Sequence, residues 1–173
     1  ATDYEGSLAP TPSLAASDAD IIFVCVGNDN DVSEVVLGEQ GVMDGIKAGA
    51  VLVDHTTTSA NLAKDLAARA LTAGCGFIDA PVSGGQQGAE NGKLTVMCGG
   101  EPDSFTRVAP IMDCYAKEVQ LMGPSGSGQL CKMVNQICIA GAVQGLAEGL
   151  NFAQHAGLDA AQVVEVISQG AAQ

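Results

Sequence analysis

The sequence predicts an α/β fold in which a mostly parallel sheet is followed by the start of an all-helical domain. Short apolar runs rich in β-branched residues, such as residues 21–26 (IIFVCV), are typical of strands buried on both faces of a parallel sheet. Segments with helical spacing of apolar residues separate these runs, and strands that alternate with helices indicate βαβ units. From Gln129 to about Ala156 there is no proline, and Ala, Leu, Val and Ile recur at helical spacing.

Local patterns place the individual elements. The predicted strands are residues 21–26, 51–54, 76–82, 94–98 and 118–122. The predicted helices begin at about residue 32 and then cover 60–73, 101–115, 129 to about 156, and 160–168. Ser59 and Asp159 are candidate N-caps, Pro102 stands at an early helical position, and Gly157 suits a helix end. The change of character near residue 125 predicts two domains, at 1–125 and 126–173.

Composition and charge exclude several function classes. Seven Lys and Arg stand against 20 Asp and Glu, a formal charge of −13. This balance argues against nucleic acid and against an anionic membrane surface as partners. It does not exclude a small anionic ligand, which one lysine or a few backbone N–H groups can hold. Because residues 1–6 are polar and no apolar run reaches ~18 residues, we expect neither a signal peptide nor a membrane span.

The six cysteines, at positions 25, 75, 98, 114, 131 and 138, form no C-x-x-C pair. The two histidines, His55 and His155, lie far from any cysteine cluster in the sequence. We therefore expect no metal site and no disulfide framework. The cysteines are interpreted as reduced, mostly buried thiols of a cytoplasmic protein.

A glycine-rich turn follows the third predicted strand, in the sequence DAPVSGG at residues 79–85. In open α/β sheets, ligands bind beyond the carboxyl ends of the strands. Gly84 and Gly85 would let backbone N–H groups approach an anion, and Ser83 adds a hydroxyl donor. A turn that binds nothing explains the same composition, so both interpretations stay open at this point.

A second glycine-rich loop, GPSGSG at residues 123–128, leads into the long predicted helix. Lys132, Asn135 and Gln136 can share one helical face because they are three and four residues apart. Lys132 interrupts an apolar stretch, where partial desolvation would disfavour its charge and suit it to proton transfer. The alternative, which spacing alone favours, is a solvated lysine on the outer face. The loop is not a P-loop, because Gln129 stands where that motif requires lysine.

Two weaker motifs follow other strand ends, HTTTS at residues 55–59 and VGN at residues 26–28. The hydroxyls of the first could contact a ligand, but a helix N-cap explains them as well. Gly27 would permit close approach of a ring or a phosphate. No G-x-G-x-x-G fingerprint lies between a strand and a helix in this chain.

The segments DAPVSGG…GA…G…LTVMCGG and GPSGSGQLCKMVNQ together resemble the β-hydroxyacid dehydrogenase family, over about residues 7–173. The order, spacing and structural context of the two motifs agree with that family. The resemblance implies a Rossmann-type N-terminal domain followed by a helical domain. It also implies NAD or NADP as cofactor, and hydride transfer between the nicotinamide and a small 3-hydroxy acid or its semialdehyde.

The resemblance also implies roles for individual residues. Lys132 would be the general acid/base, donating a proton to the substrate's carbonyl oxygen as the hydride arrives. Five residues would hold the substrate: Ser83, Gly84, Gly85, Asn135 and Gln136. Three residues would lie at the dinucleotide: Val26, Gly27 and Thr57.

The chain departs from the family at both ends. The family's dinucleotide fingerprint and the later half of its helical domain have no counterpart here, so the resemblance implies a piece of a longer protein. The long Ala-rich helix needs to be covered, which predicts that this longer protein is a homo-oligomer. With the usual Rossmann strand order 3-2-1-4-5-6, residues 21–26 would lose their inner neighbour and become an open edge. We expect the isolated chain to be inactive.

Three different functions are also compatible with this pattern. A non-catalytic binding or scaffold protein on this fold would tend to lose the lysine, which is retained as Lys132. Imine reductases look alike but typically lack this lysine. An enzyme like 6-phosphogluconate dehydrogenase would have a His-Asn pair where Asn135 and Gln136 stand. Replacing Lys132 by alanine would separate an enzyme from a scaffold.

Overall fold

The computed structural model describes residues 6–170 of the chain. Within them, the strands are β1 (Ile21–Val24), β2 (Val51–Asp54), β3 (Gly76–Asp79), β4 (Val82–Ser83), β5 (Leu94–Gly100) and β6 (Ala116–Gly123). The helices are α1 (Pro12–Ala16), α2 (Asp29–Leu37), α3 (Val42–Gly45), α4 (Ala60–Thr72), α5 (Gly85–Glu90), α6 (Pro102–Met112), α7 (Ser127–His155) and α8 (Ala160–Ile167).

The strands form one mixed sheet. β1, β2 and β3 run parallel with their last residues in register, Val24 beside Asp54 and Asp54 beside Asp79. β5 runs antiparallel to both β3 and β4, and β6 runs parallel to β5. The order is β1–β2–β3–β5–β4, with β6 also paired to β5. The predicted α/β fold, with a mostly parallel sheet followed by a long helix, is confirmed.

The single strand predicted over residues 76–82 is wrong, because the chain is interrupted after Asp79 and resumes as β4 at Val82. Pro81 lies in the gap and has no N–H with which to continue a ladder. Its carbonyl instead accepts a hydrogen bond from the Met97 amide at 3.1 Å. The break divides the predicted strand into two short strands, β3 and β4, that both pair with β5.

Other predicted ends move by a few residues. The strand predicted to reach residue 26 ends at Val24, and the Val26 amide donates to the Thr56 hydroxyl. The helix predicted from about residue 32 begins at Asp29, because the Asn28 side chain accepts from the amides of the first turn. The helix predicted to reach residue 115 ends at Met112, and the strand predicted from residue 118 begins at Ala116.

The core lies on both faces of the sheet because successive strand side chains point to opposite faces. Leu52 joins a cluster that contains residues of α2, α3 and α4. Val51 and Val53 join the opposite cluster, which contains Val108 and Met112 of α6. Ala, Val, Leu and Ile supply most of these buried side chains, as expected for a chain with few aromatic residues.

The chain forms two compact units that divide between Lys132 and Met133, within α7. The first contains the sheet, and the second contains the rest of α7 and α8. Both predicted caps of the second unit are confirmed: Gly157 adopts φ +75° after α7, and the Asp159 carboxylate accepts from the Ala161 and Gln162 amides. The predicted domain boundary near residue 125 stays a prediction.

Helix α7 is long and exposes many apolar side chains, among them Leu130, Val134, Ile137 and Val143. By length and composition, α7 could cross a membrane. The sequence predicted no membrane span, because it contains no continuous apolar run of ~18 residues. One such helix is weak support for a membrane protein, because the core helix of a soluble protein can have the same length and composition.

Candidate active site

The three residues predicted at the dinucleotide, Val26, Gly27 and Thr57, follow two neighbouring strand ends. Because β1, β2 and β3 are parallel and in register, their carboxyl ends meet at one edge of the sheet. The loops after them contain residues 25–28, 55–59 and 80–81. Ligands of open α/β sheets bind at such an edge.

The loop after β2 is tied to the end of β1. The Thr56 hydroxyl accepts from the Val26 amide at 3.0 Å, and the Thr56 amide donates to Asp54 Oδ1 at 2.9 Å. Thr56 and Thr58 are buried, while Thr57 between them is exposed. The structure therefore places Val26 and Thr57, both predicted at the dinucleotide, on two loops that share a hydrogen bond.

Gly27 begins a loop whose polar groups bond mainly to one another. Its amide donates to Asp31 Oδ2 at 3.1 Å, and Asn28 Nδ2 donates to the same oxygen at 3.0 Å. Asn28 Oδ1 accepts the amides of Asn30 and Asp31. The first turn of α2 is thus capped by its own side chains, and a carboxylate lies beside Gly27.

The turn predicted to hold the substrate consists of β4 and the start of α5. Gly84 and Gly85 have φ values of +131° and +61°, a region that side chains with a Cβ rarely adopt. Both glycines are exposed, and Ser83 is half-buried and paired with Thr95 of β5. The backbone of this turn is therefore accessible to a ligand.

Helix α7 begins directly against the sheet. Asp79, which is fully buried, accepts the Gly126 amide at 2.7 Å and the Gln129 amide at 3.0 Å. Burial raises the pKa of Asp79, and these backbone hydrogen bonds oppose the rise. A Cβ at Gly128 would collide with the Met97 and Asp79 carbonyl oxygens, so glycine permits this close approach.

Lys132 is buried, with 8% of its surface exposed. Its ammonium donates to the Val82 carbonyl at 2.8 Å, directly before Ser83 in the chain. The interpretation of this residue as a solvated lysine on the outer face of the helix is therefore wrong. The structure joins the two motifs, 50 residues apart, at one hydrogen bond.

Asn135 and Gln136 belong to the second unit. Asn135 is half-buried and Gln136 is exposed. Asn135 Nδ2 and Gln136 Oε1 lie 3.5 Å apart, at the limit of a hydrogen bond. Their substrate roles rest on the resemblance alone.

Gln129 is a site residue that the sequence did not predict. Its side chain is fully buried, accepts from the Thr58 amide at 3.0 Å and donates to the Thr56 carbonyl at 2.7 Å. The only hint in the sequence is an uncharged polar residue in the same apolar stretch as Lys132.

His55 belongs to the HTTTS motif and was not predicted as a site residue, yet it connects three loops. Its Nδ1 donates to the Ala80 carbonyl at 2.6 Å, and its Nε2 accepts from the Tyr115 hydroxyl at 2.7 Å. The ring stacks on Phe23 at a centroid distance of 5.5 Å. Burial lowers the pKa of His55, and the bond to Ala80 opposes this. Burial likewise raises the pKa of Tyr115.

The interpretation of the cysteines as mostly buried is wrong. All six are free, but only Cys75 and Cys98 are buried, whereas Cys25, Cys114 and Cys138 are exposed. Burial raises the pKa of Cys98 to about 12. Over residues 6–170, no three His, Cys, Asp or Glu side chains are grouped as metal ligands would be.

Matches to known protein families define the class of this chain. Residues 1–123 match the family described as the NAD binding domain of 6-phosphogluconate dehydrogenase. Residues 126–173 match the NAD-binding domain of NADP-dependent 3-hydroxyisobutyrate dehydrogenase. With the parallel strands and the strand-end loops, these matches define a Rossmann-type NAD(P)-binding protein. The chain belongs to the β-hydroxyacid dehydrogenase family, and the resemblance seen in its motifs is confirmed.

Individual relatives agree with this assignment. The chain is 59% identical to an uncharacterized oxidoreductase of Shewanella frigidimarina, covering 98% of this chain and 58% of the relative. It is 44% identical to the probable 3-hydroxyisobutyrate dehydrogenase-like 2, mitochondrial, of Arabidopsis thaliana, covering 96% and 56%. A Mycobacterium tuberculosis 3-hydroxyisobutyrate dehydrogenase structure with L-serine superposes with a TM-score of 0.85 at 26% identity, covering 95% and 56%. The chain thus spans somewhat more than half the length of these relatives.

Proposed function

We propose that the complete protein containing this sequence is an NAD(P)-dependent dehydrogenase of a small 3-hydroxy acid, similar to 3-hydroxyisobutyrate, or of its semialdehyde. Lys132 acts as its general acid/base. The observation that carries the proposal is the buried Lys132 ammonium bound to the carbonyl directly before Ser83. Family membership supports the reaction class.

The bond to Val82 orients the lysine for proton transfer. An ammonium has three donors, and the Val82 carbonyl accepts one of them at 2.8 Å. The remaining donors are available to a substrate oxygen. A cation at that oxygen stabilises the negative charge that develops there, and Nζ then donates its proton to it. In the oxidative direction, neutral Nζ accepts the hydroxyl proton.

The turn at residues 83–85 fits the carboxylate of the substrate. Ser83 supplies a hydroxyl, and the open backbone of Gly84 and Gly85 supplies N–H donors. The proposal assigns Asn135 and Gln136 a hydrogen bond to the same substrate. The net charge of −13 on these 173 residues opposes the binding of an anion, so a local set of donors has to offset it.

The strand-end loops fit one part of a dinucleotide. Thr57 and Gly27 are exposed and Val26 is half-buried, so these residues can hold the nicotinamide and its ribose. Asp31 beside the Gly27 amide does not fit a phosphate, since a carboxylate already accepts that N–H. Bound NAD or NADP supplies the hydride acceptor or donor.

The test is a Lys132→Met substitution in the complete protein. Methionine keeps an unbranched chain but removes the proton donor, so we expect kcat to fall by at least about 100-fold. The dissociation constant of the reduced dinucleotide is expected to stay within about twofold of the wild-type value, because Lys132 is not assigned to that site.

Lys117→Met is the matched control, because Lys117 is an exposed lysine on β6. Unchanged turnover in the Lys132→Met variant would refute the acid–base role. A protein that binds the dinucleotide but turns over no hydroxy acid would be a non-catalytic binding or scaffold protein. Turnover of an imine alone would identify an imine reductase, and turnover of 6-phosphogluconate alone would identify a 6-phosphogluconate dehydrogenase.

We also propose that the complete protein is a cytoplasmic homo-oligomer that binds neither nucleic acid nor membranes. The acidic charge supports the absence of nucleic acid. The exposed apolar residues of α7 support oligomerisation, since such a surface needs to be covered.

A further inference from the structure

The side chain of Gln129 is the largest fully buried polar group of the first unit that has no role in the proposed reaction. Burial of a primary amide costs free energy unless its donors and acceptor are paired. Both ends of this amide are paired, and both partners lie in the loop after β2. The pairing is therefore specific to that loop.

The amide spans Thr57 from both sides. Gln129 Oε1 accepts from the Thr58 amide at 3.0 Å, and Gln129 Nε2 donates to the Thr56 carbonyl at 2.7 Å. We call these two hydrogen bonds the Gln129 bridge. Donor and acceptor together hold the backbone on either side of Thr57 in the manner of a neighbouring strand. Thr57 itself stays exposed.

The backbone of Gln129 is fixed to the sheet. The Gln129 backbone amide donates to the buried Asp79 carboxylate at 3.0 Å. Lys132 follows three residues later in the same helix, and its ammonium donates to Val82. One helical turn of α7 thus holds the loop of Thr57 through Gln129 and the segment before Ser83 through Lys132.

We propose that Gln129 is a positioning residue that sets the place of Thr57, and with it the nicotinamide end of the cofactor, relative to Lys132. This inference rests on the proposed function for the roles of Thr57 and Lys132. Gln129 touches neither the substrate nor the cofactor in this scheme. It acts through the Thr56–Thr58 backbone.

Two substitutions remove the bridge in different ways. Gln129→Met has similar length and removes both hydrogen bonds. Gln129→Glu keeps the acceptor for Thr58 but places a carboxylate oxygen against the Thr56 carbonyl, where two acceptors repel. Protonation of that carboxyl restores a donor, so this variant should recover as the pH falls. Asp54 and Asp79 oppose ionisation of the new carboxyl and Lys132 favours it, and all three groups are also present in the wild type.

The first measurement uses the complete protein without substrate. Hydrogen exchange of the Thr58 amide reports the bridge itself, and fluorescence titration of the reduced dinucleotide reports its consequence. In Gln129→Met we expect a faster exchange of the Thr58 amide and a dissociation constant raised at least about tenfold, because two buried hydrogen bonds are lost and one alone is worth about that factor. In Gln129→Glu the dissociation constant should be raised at pH 8 and approach the wild-type value at pH 5.

Controls separate positioning from stability and from added charge. Val108→Ala removes buried volume on α6 and should lower the melting temperature without changing dinucleotide affinity. Gln120→Glu adds the same charge at an exposed position of β6 and should give no pH-dependent recovery. If Gln129→Met does not fold, the pH dependence of dinucleotide affinity in Gln129→Glu decides whether the proposal holds.

A wild-type dissociation constant in both variants, with Thr58 exchanging fast, would overturn the proposal and leave Gln129 with a structural role only. An affinity loss in Val108→Ala equal to that in Gln129→Met would overturn it as well. The proposed function fails separately: wild-type protein that binds the dinucleotide but turns over no 3-hydroxy acid refutes the reaction, while the affinity and exchange data still test the bridge.

Discussion

Asp54, at the carboxyl end of β2, is buried with one carboxylate oxygen unpaired. Oδ1 accepts the Thr56 amide, while Oδ2 finds no hydrogen-bond partner among residues 6–170. Burial is the main cause that raises the pKa of Asp54 to about 6, with Asp79 and Asp29 adding to the rise. The bonds from Thr56 oppose it.

This pKa predicts a stability that falls with rising pH. Between about pH 4 and 6, folded Asp54 keeps a proton that the unfolded chain, with its ordinary pKa of 3.8, has released. The free energy of unfolding therefore decreases as the pH rises through this window, and the loss is complete about one unit above the folded pKa, near pH 7. Asp54→Asn should remove this pH dependence, which amounts to a change of roughly 1–3 kcal/mol in the free energy of unfolding over the whole window.

Urea unfolding between pH 4 and pH 7 measures this slope. Asp18→Asn, at an exposed aspartate, is the control and should keep the wild-type slope. Equal slopes for the wild type and Asp54→Asn would mean that Asp54 is already ionised throughout this range in the folded protein.

At the scale of elements, the N-termini of α2 and α4 are joined to each other. The Ser59 hydroxyl accepts from the Leu62 amide as the N-cap of α4, which confirms the predicted cap. The same hydroxyl donates to Asp29 Oδ2 at 2.6 Å, and the Ser59 amide donates to Asp29 Oδ1. Asp29 lies in the first turn of α2, where a negative charge is favourable.

Ser59→Ala should therefore lower the free energy of unfolding by more than the loss of an isolated, exposed N-cap would. It removes the acceptor for Leu62 and one of the two bonds to Asp29, and we expect a loss of about 1–2 kcal/mol in the free energy of unfolding. Ser33→Ala on α2, whose hydroxyl bonds only to the Asp29 carbonyl of its own helix, should change it by less than about 0.5 kcal/mol. Chemical denaturation compares the two, and equal losses would contradict a link between the helices.

At the scale of the whole molecule, β1 lies at the edge of the sheet that residues 6–170 form. Among the described residues it pairs with β2 alone. The Val24 carbonyl and the Val26 amide bond toward the loop of β2. Because the backbone N–H groups of successive strand residues point to opposite sides, the amides of Phe23 and Cys25 point away from β2. A groove of about 500 Å³, lined almost entirely by apolar residues, lies beside this edge.

An open apolar edge predicts association of the 173-residue chain when it is prepared alone. Sedimentation should show mass increasing with concentration, and the Phe23 and Cys25 amides should exchange fast in dilute samples and slowly in concentrated ones. Cys25→Lys places a charge at this edge and should weaken the association, whereas Cys114→Lys, at an exposed position elsewhere, should not. Concentration-independent exchange at both amides would argue that β1 is not the associating edge.

Much of the architecture could be predicted from local pattern. The apolar runs at 21–26 and 51–54, the cap at Ser59 and the long helix after the second glycine loop depend on residues close together in the chain. The break at Pro81 was not predicted because the apolar pattern continues through it, although proline itself marks a lost donor. The early start of α2 was not predicted because the polar run around Asn28 is typical of a loop as well as of a cap.

The sequence by itself determined the α/β class, the order of the elements and the family, because periodicity, caps and motifs are local properties. Only the tertiary structure decided which polar side chains are buried and with what they pair. Lys132 meets Val82 across 50 residues, Gln129 meets Thr56 across 73, and His55 meets Tyr115 across 60. Partners at such separations leave no periodic trace in the sequence, and folding brings them together because buried donors and acceptors must be satisfied.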